Sequence, residues 1–262
     1  MIKTLLKMEF RRAIKANLLW SIGVGLMIYL IIVLYPLVDD IYSQVPPELM
    51  AIMEQFGGIP SDVLEYYATE GAMMLQLFGA IYAALLGFNL ISTFEKERLA
   101  EVIYTQAIPK QDFFISKLIV LFIMILLFTL INVVIGYIGF LTINETFSLS
   151  DYVIFSLLNG VMYLHIALLC MVLALCLNKE VKAMISLAIP LPLYILSIVS
   201  TLTDNDWLKR LKYISPFTYS DPVAILKNQS DFEYVSFLVF TGVILMGLSI
   251  GYGLYKKRIS VS

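Results

Sequence analysis

The chain has 262 residues, of which 60% are hydrophobic and only 15% charged, with a net charge of −2. Water-soluble domains carry roughly 45–50% apolar and about 25% charged residues. This composition therefore excludes a soluble globular protein and makes hydrocarbon the natural solvent for the apolar surplus.

Residues 1–15 alternate an apolar stripe (Ile2, Leu6, Phe10, Ile14) with a basic one (Lys3, Lys7, Arg11, Lys15) at four-residue spacing. That pattern predicts an amphipathic helix lying in the membrane interface, its cations among lipid phosphates. The other reading is a charged extension of the first span. A cleavable signal is not expected, because the basic stretch is long, the apolar run exceeds a signal core and no small-residue cleavage site follows.

Apolar stretches of ~20 residues are long enough to span hydrocarbon as helices. They fall at 18–38, 71–94, 118–141, 152–177, 183–202 and 235–255. Helices are favoured over a barrel because no run alternates with a period of two, and each helix satisfies its own backbone. The expected architecture is all-α and integral to the membrane, forming a single transmembrane domain over residues 1–262.

Basic residues set the orientation. Of the 18 Lys and Arg residues, 14 lie in the N-terminal segment, the second and fourth connections and the C-terminus. The first connection, 39–70, has none and carries Asp39, Asp40, Glu48, Glu54, Asp62, Glu65 and Glu70. By the positive-inside rule both termini are expected in the cytoplasm of a multi-pass plasma-membrane protein. The fifth connection mixes Lys209, Arg210 and Lys212 with acids. Its aromatic and proline residues (Trp207, Tyr213, Pro216, Phe217, Tyr219, Pro222) predict short re-entrant or interfacial helices before span six.

Within the spans no Asp, Glu, Lys or Arg is expected at mid-membrane, which argues against an ion-coupled carrier. His165, the sole histidine, has no partners for a metal site or triad, and a hydrogen-bonded structural role is expected. Gln76, Asn89, Asn132 and Asn159 could join helices or line a path. Gly79, Ala83 and Gly87 form a small-residue stripe on span two, and Gly247 and Gly251 a G-x-x-x-G on span six. Both stripes permit close helix approach, within one subunit or across a dimer. Pro190 and Pro192 should bend span five and are hinge candidates. Cys170 and Cys176 lie six apart, on different faces of one helix, and free thiols are expected.

The connection 95–117 reads as a short helix presented to the aqueous side and joined to spans two and three, or as a solvated linker. Ala100, Glu101, Ile103, Thr105, Ile108, Lys110, Ser116 and Lys117 match, without gaps, a signature of ABC-2-type permeases, which the chain resembles. It departs from that signature at Ala107 and Pro109. The run 213–219 (Tyr-Ile-Ser-Pro-Phe-Thr-Tyr) also resembles the segment before that family's last span.

The resemblance implies the membrane subunit of an ABC exporter, pairing with a second copy or paralogue and with a cytoplasmic ATPase subunit. A coupling helix would lie between spans two and three, with Glu95, Glu97, Arg98, Glu101, Thr105, Pro109 and Lys110 as its ATPase-facing residues. ATP and Mg would be bound by the partner, since no G-x-x-x-x-G-K-[ST] loop occurs in this sequence. Membrane lipid is an expected partner and nucleic acid is not. No catalytic or metal-binding residue is assigned. An amphipathic or apolar cargo (an antimicrobial peptide, drug or lipid-like compound) fits the uncharged spans. A membrane-embedded enzyme is disfavoured by the lack of paired buried groups. A non-transporting sensor or scaffold on the same plan is the other reading.

Overall fold

The computed structural model describes residues 2–42, 44–46, 60–96, 109–177, 181–203, 205–226 and 232–261. Helices account for the regular structure of these residues, with no strand among them. Six are long and apolar enough to cross a membrane: Lys3–Tyr42, Val63–Thr93, Gln111–Ile143, Leu149–Cys176, Ala183–Ser200 and Tyr234–Leu254. They are called spans one to six.

Span one differs from expectation at its start. Residues Ile2–Val33 form one uninterrupted helix, so the basic N-terminal stretch is the leading part of span one and not a separate interfacial element. The reason is local and tertiary together. No Gly or Pro breaks the sequence before Gly23, and Leu5, Glu9 and Asn17 are buried against neighbouring helices. The helix breaks only at Leu34 and resumes as Tyr35–Tyr42. Pro36, which lacks an N–H to extend the ladder, sits at that break.

Span two begins earlier than the expected residue 71, because the acidic segment before it is a built helix start. Asp62 Oδ1 accepts from the Glu65 amide at 2.8 Å, while Glu65 Oε2 accepts from the Ser61 amide at 2.9 Å and its hydroxyl at 2.6 Å. This reciprocal capping satisfies orphan donors at the helix start. A π-helical turn at Tyr67–Ala72 follows, and then the helix Met73–Lys96. The extra residue in that turn accompanies the burial of Tyr67, whose ring packs edge-on against Phe140, Tyr152 and Phe155.

Span three belongs to the helix Lys110–Ile143, ended by Asn144 in the left-handed region at φ 55°, a common helix stop. Span five is not one bent helix. A 3-10 segment, Ala183–Ala188, is followed by the α-helix Pro190–Leu202, with Pro190 in its first turn. Proline is tolerated there because the first-turn N–H has no intrahelical acceptor. Pro190 and Pro192 therefore start a helix instead of kinking one.

Before span six the chain makes short helical pieces, Asp206–Lys209, Arg210–Ile214, Thr218–Ser220 and Pro222–Leu226. Phe217, Tyr219 and Ser220 are buried within the bundle. Span one packs on span three, span two on span four, span six on span four, and span five against span two. Span two is the most enclosed, with 67% of its apolar stretch buried, against 17% for span five and 22% for span six. The core thus sits around spans two and four, and the open faces lie on five and six.

Candidate functional site: polar anchors within the bundle

The end of the bundle carrying the N-terminus contains a buried ion pair. Lys117 Nζ donates to Glu9 Oε1 at 2.8 Å and also to the Leu90 carbonyl. The two side chains are only 1% and 4% exposed, and the ammonium also lies 4.6 Å from the centre of the Phe113 ring. A buried charge is tolerable only when paired and hydrogen-bonded, and this arrangement provides both. It pins spans one, two and three at one point. Further along, Asn17 Nδ2 donates to the Tyr82 hydroxyl and to the Met124 carbonyl at 2.8 Å. Tyr82 stacks on Phe128 with ring centres 4.6 Å apart. The same three spans are thereby tied again, about two helical turns deeper.

Between spans one and two, beside the ion pair, a cavity of about 450 Å³ is lined by Glu9, Arg12, Trp20, Tyr82, Leu86 and Asn89, among others. Its size is that of a small-molecule pocket, and its mixture of aromatic, aliphatic and charged groups suits an amphipathic ligand.

A second polar layer joins spans two and four to the segment before span six. Gln76 Nε2 donates to Asn159 Oδ1 at 2.9 Å and to the Ser220 carbonyl. Ser220 Oγ lies 3.0 Å from Met162 Sδ. The Tyr219 hydroxyl is 2.7 Å from His165 Nδ1, and His165 lies in the middle third of the helix Leu149–Cys176. Residues 215–226 therefore re-enter the bundle and dock on span four. Ser215 fastens the same segment to its flanks, donating to the Leu193 carbonyl at 2.8 Å and accepting, through its own carbonyl, from Ser236 Oγ at 3.0 Å. Nearer the surface, Lys212 donates to Glu233, and this bond pushes the Lys212 ammonium above its ordinary range.

The small-residue stripes face span four. A Cβ on Gly79 would enter the Tyr163 ring, and one on Gly87 would lie 2.7 Å from the Ala167 carbonyl carbon and closer still to its oxygen. Ala83, between them, is fully buried. Gly247 and Gly251 lie against Val172 and Leu175 of span four, 3.5 and 2.9 Å from where their Cβ atoms would stand. Cys170 is buried and free, and Cys176 is exposed and free.

Of the residues proposed for ATPase coupling, Glu97, Arg98, Glu101 and Thr105 lie outside the described residues. Glu95 falls in the last turn of the helix Met73–Lys96. Pro109 is exposed and immediately precedes the helix that Lys110 begins. Sequence reasoning missed the partnership of Glu9 with Lys117. Its one available signal was Glu9 itself, the sole acid in an otherwise basic stretch. The Gln76–Ser220 and His165–Tyr219 bonds had no local signal.

Six apolar helices, packed through glycines and tied by polar bonds within the bundle, define a multi-pass membrane protein. Residues 3–256 match the family described as the C-terminal domain of the multidrug efflux system permease Rv1217c. The chain belongs to this family of efflux-system permeases and is a permease subunit. No individually curated protein matches it.

Proposed function

We propose that this permease is the membrane half of an ATP-binding cassette exporter of the ABC-2 type. In this reading it pairs with a second copy or a paralogue and is driven by a separate ATPase that holds ATP and Mg. The observation that carries the proposal is membership of an efflux-permease family in a chain without any phosphate-cradling loop. The power stroke must then come from another chain. The coupling segment is the connection between spans two and three, with Glu95, Glu97, Arg98, Glu101, Thr105, Pro109 and Lys110 on it. The ABC-2-like residues cluster there, and the connection joins two helices that share the Lys117 anchor. The basic end faces the cytoplasm, consistent with 14 of 18 cations on that side.

The cargo is amphipathic or apolar. The mixed lining of the cavity between spans one and two supports this, as does the absence of Asp, Glu, Lys and Arg from the middle of the six apolar stretches of the sequence. The test is co-purification of a cytoplasmic ATPase with this chain from its native membranes, together with dye efflux from vesicles containing both. Glu101→Arg and Thr105→Arg should abolish co-purification and efflux together while leaving the permease folded. Intact association and efflux in both variants would overturn the coupling assignment.

A further inference from the structure

Between spans two, three and four, at the level of the Gln76–Asn159 bond, lies a small cavity of about 10 Å³. Its lining includes Thr129, Asn132, Asn159, Tyr152, Ser156 and Tyr163. A volume of this size is roughly that needed to hold the centre of one water molecule. Three side-chain polar atoms of the lining have no hydrogen-bond partner in the protein: Thr129 Oγ1, Asn132 Oδ1 and Asn159 Nδ2. All three residues are more than nine-tenths buried, at 8%, 4% and 1% exposure.

The remaining polar groups of the wall are occupied elsewhere. The Tyr152 hydroxyl donates to the Val133 carbonyl, the Tyr163 hydroxyl to the Leu75 carbonyl and Ser156 Oγ to the Tyr152 carbonyl. The free atoms also have defined roles. Asn159 Oδ1 accepts from Gln76, so its Nδ2 is left as a donor. Asn132 Nδ2 donates to the Phe128 carbonyl at 2.8 Å, so its Oδ1 is left as an acceptor. The Thr129 hydroxyl can serve as either.

One donor, one acceptor and one hydroxyl around a space for one oxygen are what a single water satisfies. We infer that this cavity is a binding site for one water molecule, which accepts from Asn159, donates to Asn132 and exchanges its third bond with Thr129. The alternative is three desolvated polar groups within one small volume. Each would cost free energy in an apolar interior, and such groups are rarely left unpaired in folded proteins. With the water in place, the polar layer at mid-bundle runs without a gap from Ser220 through Gln76 and Asn159 to span three. The site therefore joins span three to the layer that holds the re-entrant segment. It does so whatever the cargo or motor.

The sign of a stability change tests the proposal. If the cavity were dry, Thr129→Val would remove an orphaned hydroxyl and leave stability equal or higher. If the water is bound, the same near-isosteric change removes one of its bonds. The readout is the thermal midpoint of the purified chain in lipid nanodiscs, with Thr129→Ser as the hydroxyl-preserving comparison. We expect Thr129→Val to lower the midpoint by roughly 2–4 °C relative to the unsubstituted chain. A high-resolution density map should also show one peak within hydrogen-bonding distance of all three atoms. A Thr129→Val midpoint at or above that of the unsubstituted chain, or a cavity without density in such a map, would overturn the inference.

Discussion

Replacing Gly87 by alanine inserts one methyl group at the tightest point between spans two and four. The added Cβ would stand 2.7 Å from the Ala167 carbonyl carbon and 3.0 Å from its Cα. Ordinary carbon–carbon contact is about 3.5–4.0 Å, so the helices must part by roughly 1 Å. The obstacle is backbone, and no rotamer change can relieve it. A rigid separation of that size would stretch the 2.9 Å Gln76–Asn159 bond beyond hydrogen-bonding range. Overpacking typically costs 1–3 kcal/mol, and an interhelical hydrogen bond in a membrane protein is worth about 0.6 kcal/mol and at most ~1.7. The expected loss is therefore about 2–4 kcal/mol. Gly23 and Gly253 supply the internal control, since nothing lies within 4 Å of a Cβ at either position. Alanine there should be neutral or mildly stabilising, given its better helix propensity. Unfolding free energies in bicelles by steric trapping would measure all three. Equal stabilities for Gly87→Ala, Gly23→Ala and Gly253→Ala would refute the close-packing argument.

The buried Glu9–Lys117 pair predicts strong non-additivity. Lys117→Met alone strands a carboxylate and should cost about 3–5 kcal/mol, whereas Glu9→Leu with Lys117→Met should recover most of that loss. A double-mutant cycle on thermal stability checks it, and additive losses would count against the pair. For the re-entrant segment, Tyr219→Phe should cost on the order of 1 kcal/mol by removing the partner of His165 Nδ1. Combining it with His165→Phe should cost little more than either change alone, as judged by proteolysis of the loop before span six.

Spans were legible in the sequence because apolar length is a property of one segment and needs no knowledge of its neighbours. Their ends were not. Residues 61–70 look polar in isolation, yet Glu65 is consumed by capping Ser61 and Tyr67 by an aromatic cluster contributed by spans three and four. The N-terminal stretch has the periodicity of an interfacial helix. Its fate was decided by Lys117, 108 residues away, which takes up Glu9 inside the bundle. Likewise, Gln76 and Ser220 meet across a separation of 144 residues. Such partnerships leave no trace in the spacing of one chain. The sequence predicts a bend at Pro190 and Pro192, whereas Pro190 begins the α-helical part of span five; the 3-10 geometry ahead of it has no strong sequence mark.

The unbroken helix Ile2–Val33 is about 48 Å long at 1.5 Å per residue, longer than the ~30 Å hydrocarbon layer. It is riveted to span three along its length, through Glu9 with Lys117, Asn17 with Met124, and Gly139 against Ile32. The two helices therefore behave as a single plank. Force applied at the N-terminal end tilts that plank as a whole, and the far edge swings with it. Two of those three rivets also catch span two, through the Leu90 carbonyl and the Tyr82 hydroxyl, so a tilt of the plank pulls on span two as well.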